Sequence, residues 1–245
     1  MALPSEPLKA IFPIISVGTA SPPYSFLGTG FFIGTGGTFM TAKHVLGDAP
    51  APGGGTRLAA VDTRTGCAIH VIESTWMSPE YDVALGKVVG WPDPQVLELS
   101  DCDPTLNTDL ITLEFSQTSL RRLPDGDLAL DLVPSCRKGH VVRQYVSANL
   151  NLTPVPTHVL ELSFPALRGA SGAPVMAELR HPQPGAVLGL LIANVERHLL
   201  PAQIERIEEQ TGFAEERRYF LPLGLAISWR HLREIAVEQQ VIEAD

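Results

Sequence analysis

Arg168-Gly169-Ala170-Ser171-Gly172-Ala173-Pro174 is the stretch from which the rest of the chain can be read. A serine flanked by small residues can sit on a tight turn with its hydroxyl exposed. Gly169 leaves the backbone free to turn two N–H groups toward one point, where an oxyanion could be held. Taken alone the pattern is weak, because many Gly-x-Ser runs are plain glycine-rich turns.

A serine nucleophile needs a base and a residue that orients the base, and unrelated folds supply these in different chain orders. An α/β-hydrolase would need its acid and then its histidine after the serine. The only aspartate after Ser171 is Asp245, and although glutamates remain available, alternating strand and helix patterns are missing. The subtilisin order needs an aspartate before the histidine, and none precedes His44. The order His, Asp, Ser remains, with His44, Asp82 and Ser171 in its three places. His44 ends Thr41-Ala42-Lys43-His44-Val45, after an apolar strand and a glycine hairpin. Asp82 opens Asp82-Val83-Ala84-Leu85, where a short apolar strand follows the acid and can bury it. A partly buried carboxylate is what fixes a catalytic imidazole's tautomer and stabilises its charged form.

Outward from these residues, the chain alternates short apolar runs with Gly/Pro clusters. IFPIISV, GFFIG, TFMTA, RLAAV, AIHVIE and DVALGKVV fill residues 11–99, and LITLEF, LALDLV, GHVVRQYV, HVLELSF, APVMAEL and AVLGLLIANV follow residue 109. This rhythm predicts antiparallel barrels or sandwiches rather than βαβ units. We expect an all-β protein of two tandem small domains: 1–99 carrying His44 and Asp82, a polar linker at 100–109, and 110–245 carrying Ser171. Pro124-Asp125-Gly126 reads as a hairpin turn between two strands of the second half. The site would lie in the cleft between the halves. Helix is expected late. The stretch 201–211 has Pro201 at its start, Ile204 and Ile207 at i, i+3 and Gly212 just past its end. A second helix over 228–242, capped by Ser228 with Trp229, Leu232 and Ala236 on one face, should dock on the second domain.

The chain resembles the trypsin-like (chymotrypsin-fold) serine peptidases, in particular their bacterial branch. The matching stretches are Gly28-Thr29-Gly30-Phe31-Phe32-Ile33, Thr41-Ala42-Lys43-His44-Val45, Tyr81-Asp82-Val83-Ala84-Leu85, Gly169-Ala170-Ser171-Gly172-Ala173-Pro174 and the run from Val187 to Asn194. The resemblance implies two six-stranded antiparallel β-barrels and an endopeptidase acting through an acyl-enzyme. It gives Ser171 the role of nucleophile, His44 that of general base and acid, and Asp82 that of orienting His44. Gly169 and Ser171 would supply the oxyanion-hole N–H groups. Ala193, Asn194 and Val195 would run beside the substrate backbone and form one wall of the specificity pocket, with Pro165 at its base and Gly224 nearby. No acid falls at the base, so a small or medium apolar residue before the cut is expected. The alternative is a relative that keeps the fold as a catalytically silent peptide-binding or scaffold module.

Two departures from the family pattern bear on control. Secreted zymogens of the family hold a newly cut amino terminus with an acid just before the serine. Ala170 stands there, and no pro-segment is visible, so activation by an inserted terminus is not expected. The charged stretch 201–220 looks like an insertion beside the specificity pocket, a place where a regulatory protein partner could dock. No cofactor is implied.

Composition narrows the rest. Charged residues make up 18% of the 245 and hydrophobic ones 44%, while Gly and Pro contribute 21 each. That suits a turn-rich protein with a real core and excludes disorder. The formal charge is −9 with no long basic run, so nucleic acid is not an expected partner. The three cysteines, Cys67, Cys102 and Cys136, cannot all pair within the chain and lack metal-ligand spacing, as do the histidines. They are expected as reduced, mostly buried thiols. No apolar stretch reaches the length of a membrane span and no leader is apparent, so no membrane association is expected and the chain is assigned to the cytoplasm.

Overall fold

The six apolar runs of the first half each form a strand: β1 (Ile11–Val17), β2 (Tyr24–Phe32), β3 (Thr38–Thr41), β4 (Arg57–Asp62), β5 (Ala68–Met77) and β6 (Ala84–Val88). The structure, a computed structural model, describes residues 9–19, 23–47, 56–64, 66–116, 118–122, 128–148, 150, 153–178, 180–198 and 220–243. The six strands pair antiparallel in the cyclic order β1-β2-β3-β6-β5-β4 and close into a barrel. Closure satisfies the backbone of both edges. A bulge at Ile14/Ile15 helps β1 curve between its partners β2 and β4. Phe12, Ile14, Phe31, Phe39 and Met40 are fully buried. The Phe12 ring lies 4.7 Å from that of Phe32 and 5.3 Å edge-on from that of Phe39.

After a five-residue helix α1 (Lys43–Gly47) within the first barrel, the second half supplies β7 (Asp109–Glu114), β8 (Ser119–Arg122), β9 (Leu128–Asp131), β10 (Ser135–Ser147), β11 (Thr157–Leu162), β12 (Pro174–Ala177), β13 (Val187–His198) and β14 (Phe220–Ser228). Six of these close the second barrel in the order β10-β11-β14-β13-β12-β7. The all-β, two-barrel architecture is therefore as expected, but the membership of the second barrel is not. LALDLV was expected among its strands. Instead β8 and β9 pair only with each other, and Leu130 and Leu132 pack with Ile15, Ala59 and Val61 of the first barrel. The place is taken by β14, whose Pro222 and Gly224 broke the apolar alternation. The expected turn residues Pro124-Asp125-Gly126 lie outside the described residues, as do the expected helix 201–211 and most of the 201–220 stretch.

The chain running into the expected linker touches both barrels, and the linker's own first residue, Ser100, is bonded to the second. Leu97 donates its N–H to the Phe32 carbonyl at 2.9 Å, and Ser100 donates to the Val187 carbonyl at 3.0 Å. Leu99 forms an isolated parallel bridge with Val187, and Asp109 already belongs to β7. One apolar cluster runs through Phe31 and Val83 of the first barrel, Phe115 and Val187 of the second half, and Leu232 and Ile235 of the terminal helix α2 (Trp229–Glu238). That helix is shorter than the expected 228–242. Ser228 makes no side-chain cap. Asp103 anchors the helix start instead, accepting from Trp229 Nε1 at 3.0 Å and from the Arg230 guanidinium. The Arg230 guanidinium in turn holds the Asp103 carboxyl below the usual carboxylate range. The helix docks on more than the second barrel: the His231 ring lies 4.2 Å from that of Tyr81 in the first.

The cysteines are free but not buried, since Cys67 and Cys136 are exposed and Cys102 is half-buried. Polar neighbours explain the last: Cys102 Sγ lies 3.5 Å from Gln183 Oε1 and 4.0 Å from His181 Nε2, so a histidine does stand beside a cysteine in space. His198 falls in β13. No helix among the described residues is long and apolar enough to cross a membrane.

Candidate active site

His44 sits in the first turn of α1, immediately after β3 has delivered Thr41 to the rim of the first barrel. Asp82 lies just before β6, which pairs with β3 through Thr41 and Ala84. That pairing brings residues 38 apart in sequence into contact. Asp82 Oδ2 is 2.7 Å from His44 Nδ1, and Oδ1 accepts the His44 backbone N–H at 2.9 Å. The carboxylate is 1% exposed while the His44 side chain is 27% exposed. A buried carboxylate bonded in this way places a proton on Nδ1 and leaves Nε2 as the basic nitrogen of the neutral ring. Lys43, turned the other way, donates to the Ser78 carbonyl at 2.8 Å.

The second barrel presents Ser171 on a turn that only glycine can make, pressed against β2 and against Thr41. Gly172 has φ +85°, and a Cβ there would lie 2.1 Å from Thr41 Oγ1 and 2.2 Å from the Thr29 carbonyl. Gly169 has φ +92°, and its Cβ would lie 2.2 Å from the Phe26 ring. Both approaches press the serine turn onto the first barrel beside the residues that lead into His44. The Ala170 carbonyl accepts the Ala173 N–H at 3.0 Å. Because a trans peptide opposes its C=O and N–H, the Ser171 N–H of that same unit points the other way. The Ser171 hydroxyl lies 3.5 Å from the Ile192 carbonyl on β13.

Thr29 is a residue that sequence reasoning quoted but gave no role. It is fully buried. Its hydroxyl donates to the Gly169 carbonyl at 3.0 Å and accepts the Phe115 N–H at 3.2 Å. Its own N–H donates to the Ser171 carbonyl at 2.9 Å, and its carbonyl accepts from Thr41 Oγ1 at 2.7 Å. One side chain of the first barrel thus fixes the serine turn of the second. The only signal in the sequence is a threonine set between Gly28 and Gly30.

The expected pocket residues converge. Ala193, Asn194 and Val195 lie on β13, paired with Leu225, Gly224 and Leu223 of β14. The Gly224 N–H donates to the Phe164 carbonyl at 2.7 Å, which ties β14 to the half-buried segment containing Pro165. Asn194 Oδ1 accepts the Ala166 N–H at 2.6 Å, and its Nδ2 donates to the Ala166 carbonyl at 2.7 Å. No group of three or more His, Cys, Asp or Glu among the described residues could hold a metal ion.

Behind the acid, His231 of α2 accepts the His158 N–H at Nε2 (2.9 Å) and faces Glu234 through Nδ1 (3.3 Å). Burial pushes its imidazole below the ordinary value, against the pull of Glu234. Burial and then the nearby Glu234 push the Tyr81 hydroxyl up.

Comparison with known proteins agrees with this architecture. Residues 28–189 match the family model for the trypsin-like peptidase domain. No curated protein sequence matches significantly. Among solved structures, the active form of the Rv3671c protease from M. tuberculosis is similar at a TM-score of 0.61 and 16% identity, over 100% of this chain and 91% of that one. An inactive form carrying a serine-to-alanine change gives 0.61 and 15%, over 97% and 90%. The HtrA-type protease AlgW, solved with a decapeptide, gives 0.60 and 13%, over 95% of this chain and 65% of that one.

Proposed function

The chain belongs to the trypsin-like peptidase family, and from that premise we propose that it is a serine endopeptidase acting through an acyl-enzyme. The observation that carries the proposal is the buried Asp82 carboxylate holding both the backbone and Nδ1 of His44, with the Ser171 turn locked against the strand that delivers that histidine.

In this reading Ser171 Oγ attacks the scissile carbonyl as His44 Nε2 takes its proton. Asp82 keeps the tautomer and stabilises the imidazolium that forms. The Ser171 and Gly169 N–H groups receive the developing oxyanion, in a turn already held and needing no rearrangement. His44 then returns the proton to the leaving amine, and water repeats the sequence to free the acid. Ala193 to Val195 supply a strand edge for an extended peptide. The decapeptide bound to AlgW supports a peptide or protein substrate. Ala170, buried where zymogens carry an acid, supports activity that does not wait for an inserted terminus.

Turnover of a mixed peptide library, read by mass spectrometry, tests the proposal. Wild-type protein should generate new amino termini, and Ser171→Ala should reduce them by several powers of ten. Equal cleavage by both proteins would trace the activity to a contaminant and remove the reading.

A further inference from the structure

We propose that Ser78 is a positioning residue for Asp82: together with Lys43 it braces the loop that carries the acid against the helix that carries His44. The inference rests on the peptidase reading and concerns how that site keeps its carboxylate in place.

Asp82 lies on the connection between β5, which ends at Met77, and β6, which begins at Ala84, and these six residues have no helix or strand of their own. It meets His44 through the two oxygens of one carboxylate, Oδ1 on the backbone N–H and Oδ2 on Nδ1. On an unrestrained loop the carboxylate could keep one of these bonds while swinging away from the other. Only the bond to Nδ1 sets the tautomer of the ring.

Ser78 removes that freedom with each of its polar groups. Its N–H donates to the Val83 carbonyl at 3.0 Å and closes the base of the loop. Its Oγ accepts the N–H groups of Glu80 at 3.3 Å and Tyr81 at 3.0 Å, the local pattern by which serine organises a turn. Its carbonyl accepts from Lys43 Nζ at 2.8 Å. Ser78 is 3% exposed, so water has little access to replace a lost partner. The loop is therefore fastened to α1 at two places, Asp82 on His44 and Ser78 on the residue before it. Two attachments fix an orientation that one does not. Alanine at 78 would free the Glu80 and Tyr81 N–H groups, and threonine would keep their acceptor. Methionine at 43 would keep the stem of the lysine and lose the tie to the carbonyl.

Two readouts test the brace. In Ser78→Ala, kcat for peptide cleavage should fall about 10–100-fold with KM little changed, because a misplacement of about 1 Å costs up to about 10² in rate. The His44 imidazole, followed by NMR titration, should take up its proton at lower pH than in wild type, since a carboxylate drawn off Nδ1 stabilises the imidazolium less. Serine carries no charge, so its loss reaches that titration through the placement of Asp82. Ser78→Thr should restore most of both. Lys43→Met leaves the bonds within the loop intact and should lower kcat by a smaller factor, about 3–10-fold. A wild-type His44 titration in folded Ser78→Ala would overturn the proposal, even with a lower urea midpoint. Where Ser78→Ala does not fold, an unchanged kcat in Lys43→Met overturns it alone. The titration needs no turnover. If the wild-type protein cleaves no peptide while Ser78→Ala shifts His44, the peptidase reading falls and the brace on Asp82 stands.

Discussion

The two halves of the proposed site are built by different means. In the first barrel the working parts are side chains: a carboxylate and an imidazole joined at 2.7 Å, with the acid buried by the strand that follows it. In the second the working part is backbone, a turn whose shape comes from two positions where a Cβ would lie about 2 Å from its neighbours. The first half depends on charge and proton position and the second on steric exclusion. Chemistry-changing substitutions should therefore act in the first barrel without harming the fold, while shape-changing ones in the second should harm both.

The largest effect that would break this contrast is expected at Asp82. Asp82→Asn keeps the shape but no longer enforces the tautomer, so kcat should fall by about 10⁴, with a circular-dichroism spectrum like wild type. A loss under tenfold would show that the carboxylate is only a structural partner of the His44 backbone. Next comes Gly172→Ala, which changes no functional group. Strain at positive φ and the contact with Thr41 should cost about 3 kcal/mol of stability, read as a lower urea midpoint, together with activity. A fully stable, inactive variant would contradict the separation between the halves.

Thr29 sharpens the comparison because it belongs to one barrel and acts on the other. Thr29→Val is nearly isosteric but strips hydrogen bonds from the Gly169 carbonyl and the Phe115 N–H. We expect kcat to fall by about 10–100-fold with KM little changed, following the few kcal/mol that an oxyanion-hole defect costs. Thr29→Ser should restore most of the rate. A change in KM alone would assign Thr29 to substrate binding instead.

The smallest effect concerns acid stability. His231 has its folded-state value lowered by burial below the ordinary 6.5, so below 6.5 the unfolded chain takes up a proton that the fold resists. Stability from this group is present above 6.5 and is lost as pH falls from 6.5 toward the folded-state value. Replacing His231 by Gln should flatten the decline of Tm over that window. An unchanged slope would locate the acid sensitivity elsewhere.

How much of this was legible in the sequence follows the same division. The first barrel could be read almost strand for strand, because GFFIG, TFMTA and DVALGKVV are short apolar runs bounded by turn residues. The second barrel yielded its number of strands and the identity of five of the six. Leu128, Leu130 and Leu132 alternate in sequence as a barrel strand would, yet Leu130 and Leu132 pack on the neighbouring barrel, and local periodicity does not reveal which core a stripe will cover. β14 was hidden by Pro222 and Gly224, the latter set where β14 bonds to Phe164. Order and residue type singled out His44, Asp82 and Ser171 as candidates, and the structure joins His44 to Asp82. The hold of Thr29 on Gly169 joins residues 140 apart, and the Asn194–Ala166 contact joins residues 28 apart. Neither contact has a local sequence pattern. Asp103 at the start of α2 was missed for the same reason, since its partners lie 126 and 127 residues away.

The central claim is that the two barrels assemble one activated serine, and intact-mass analysis after exposure to a fluorophosphonate tests it most directly. Wild-type protein should gain a single adduct on Ser171, Ser171→Ala should gain none, and Asp82→Asn should react far more slowly. A folded wild-type protein that takes up no adduct, or one that labels as fast without Asp82 as with it, would contradict the account.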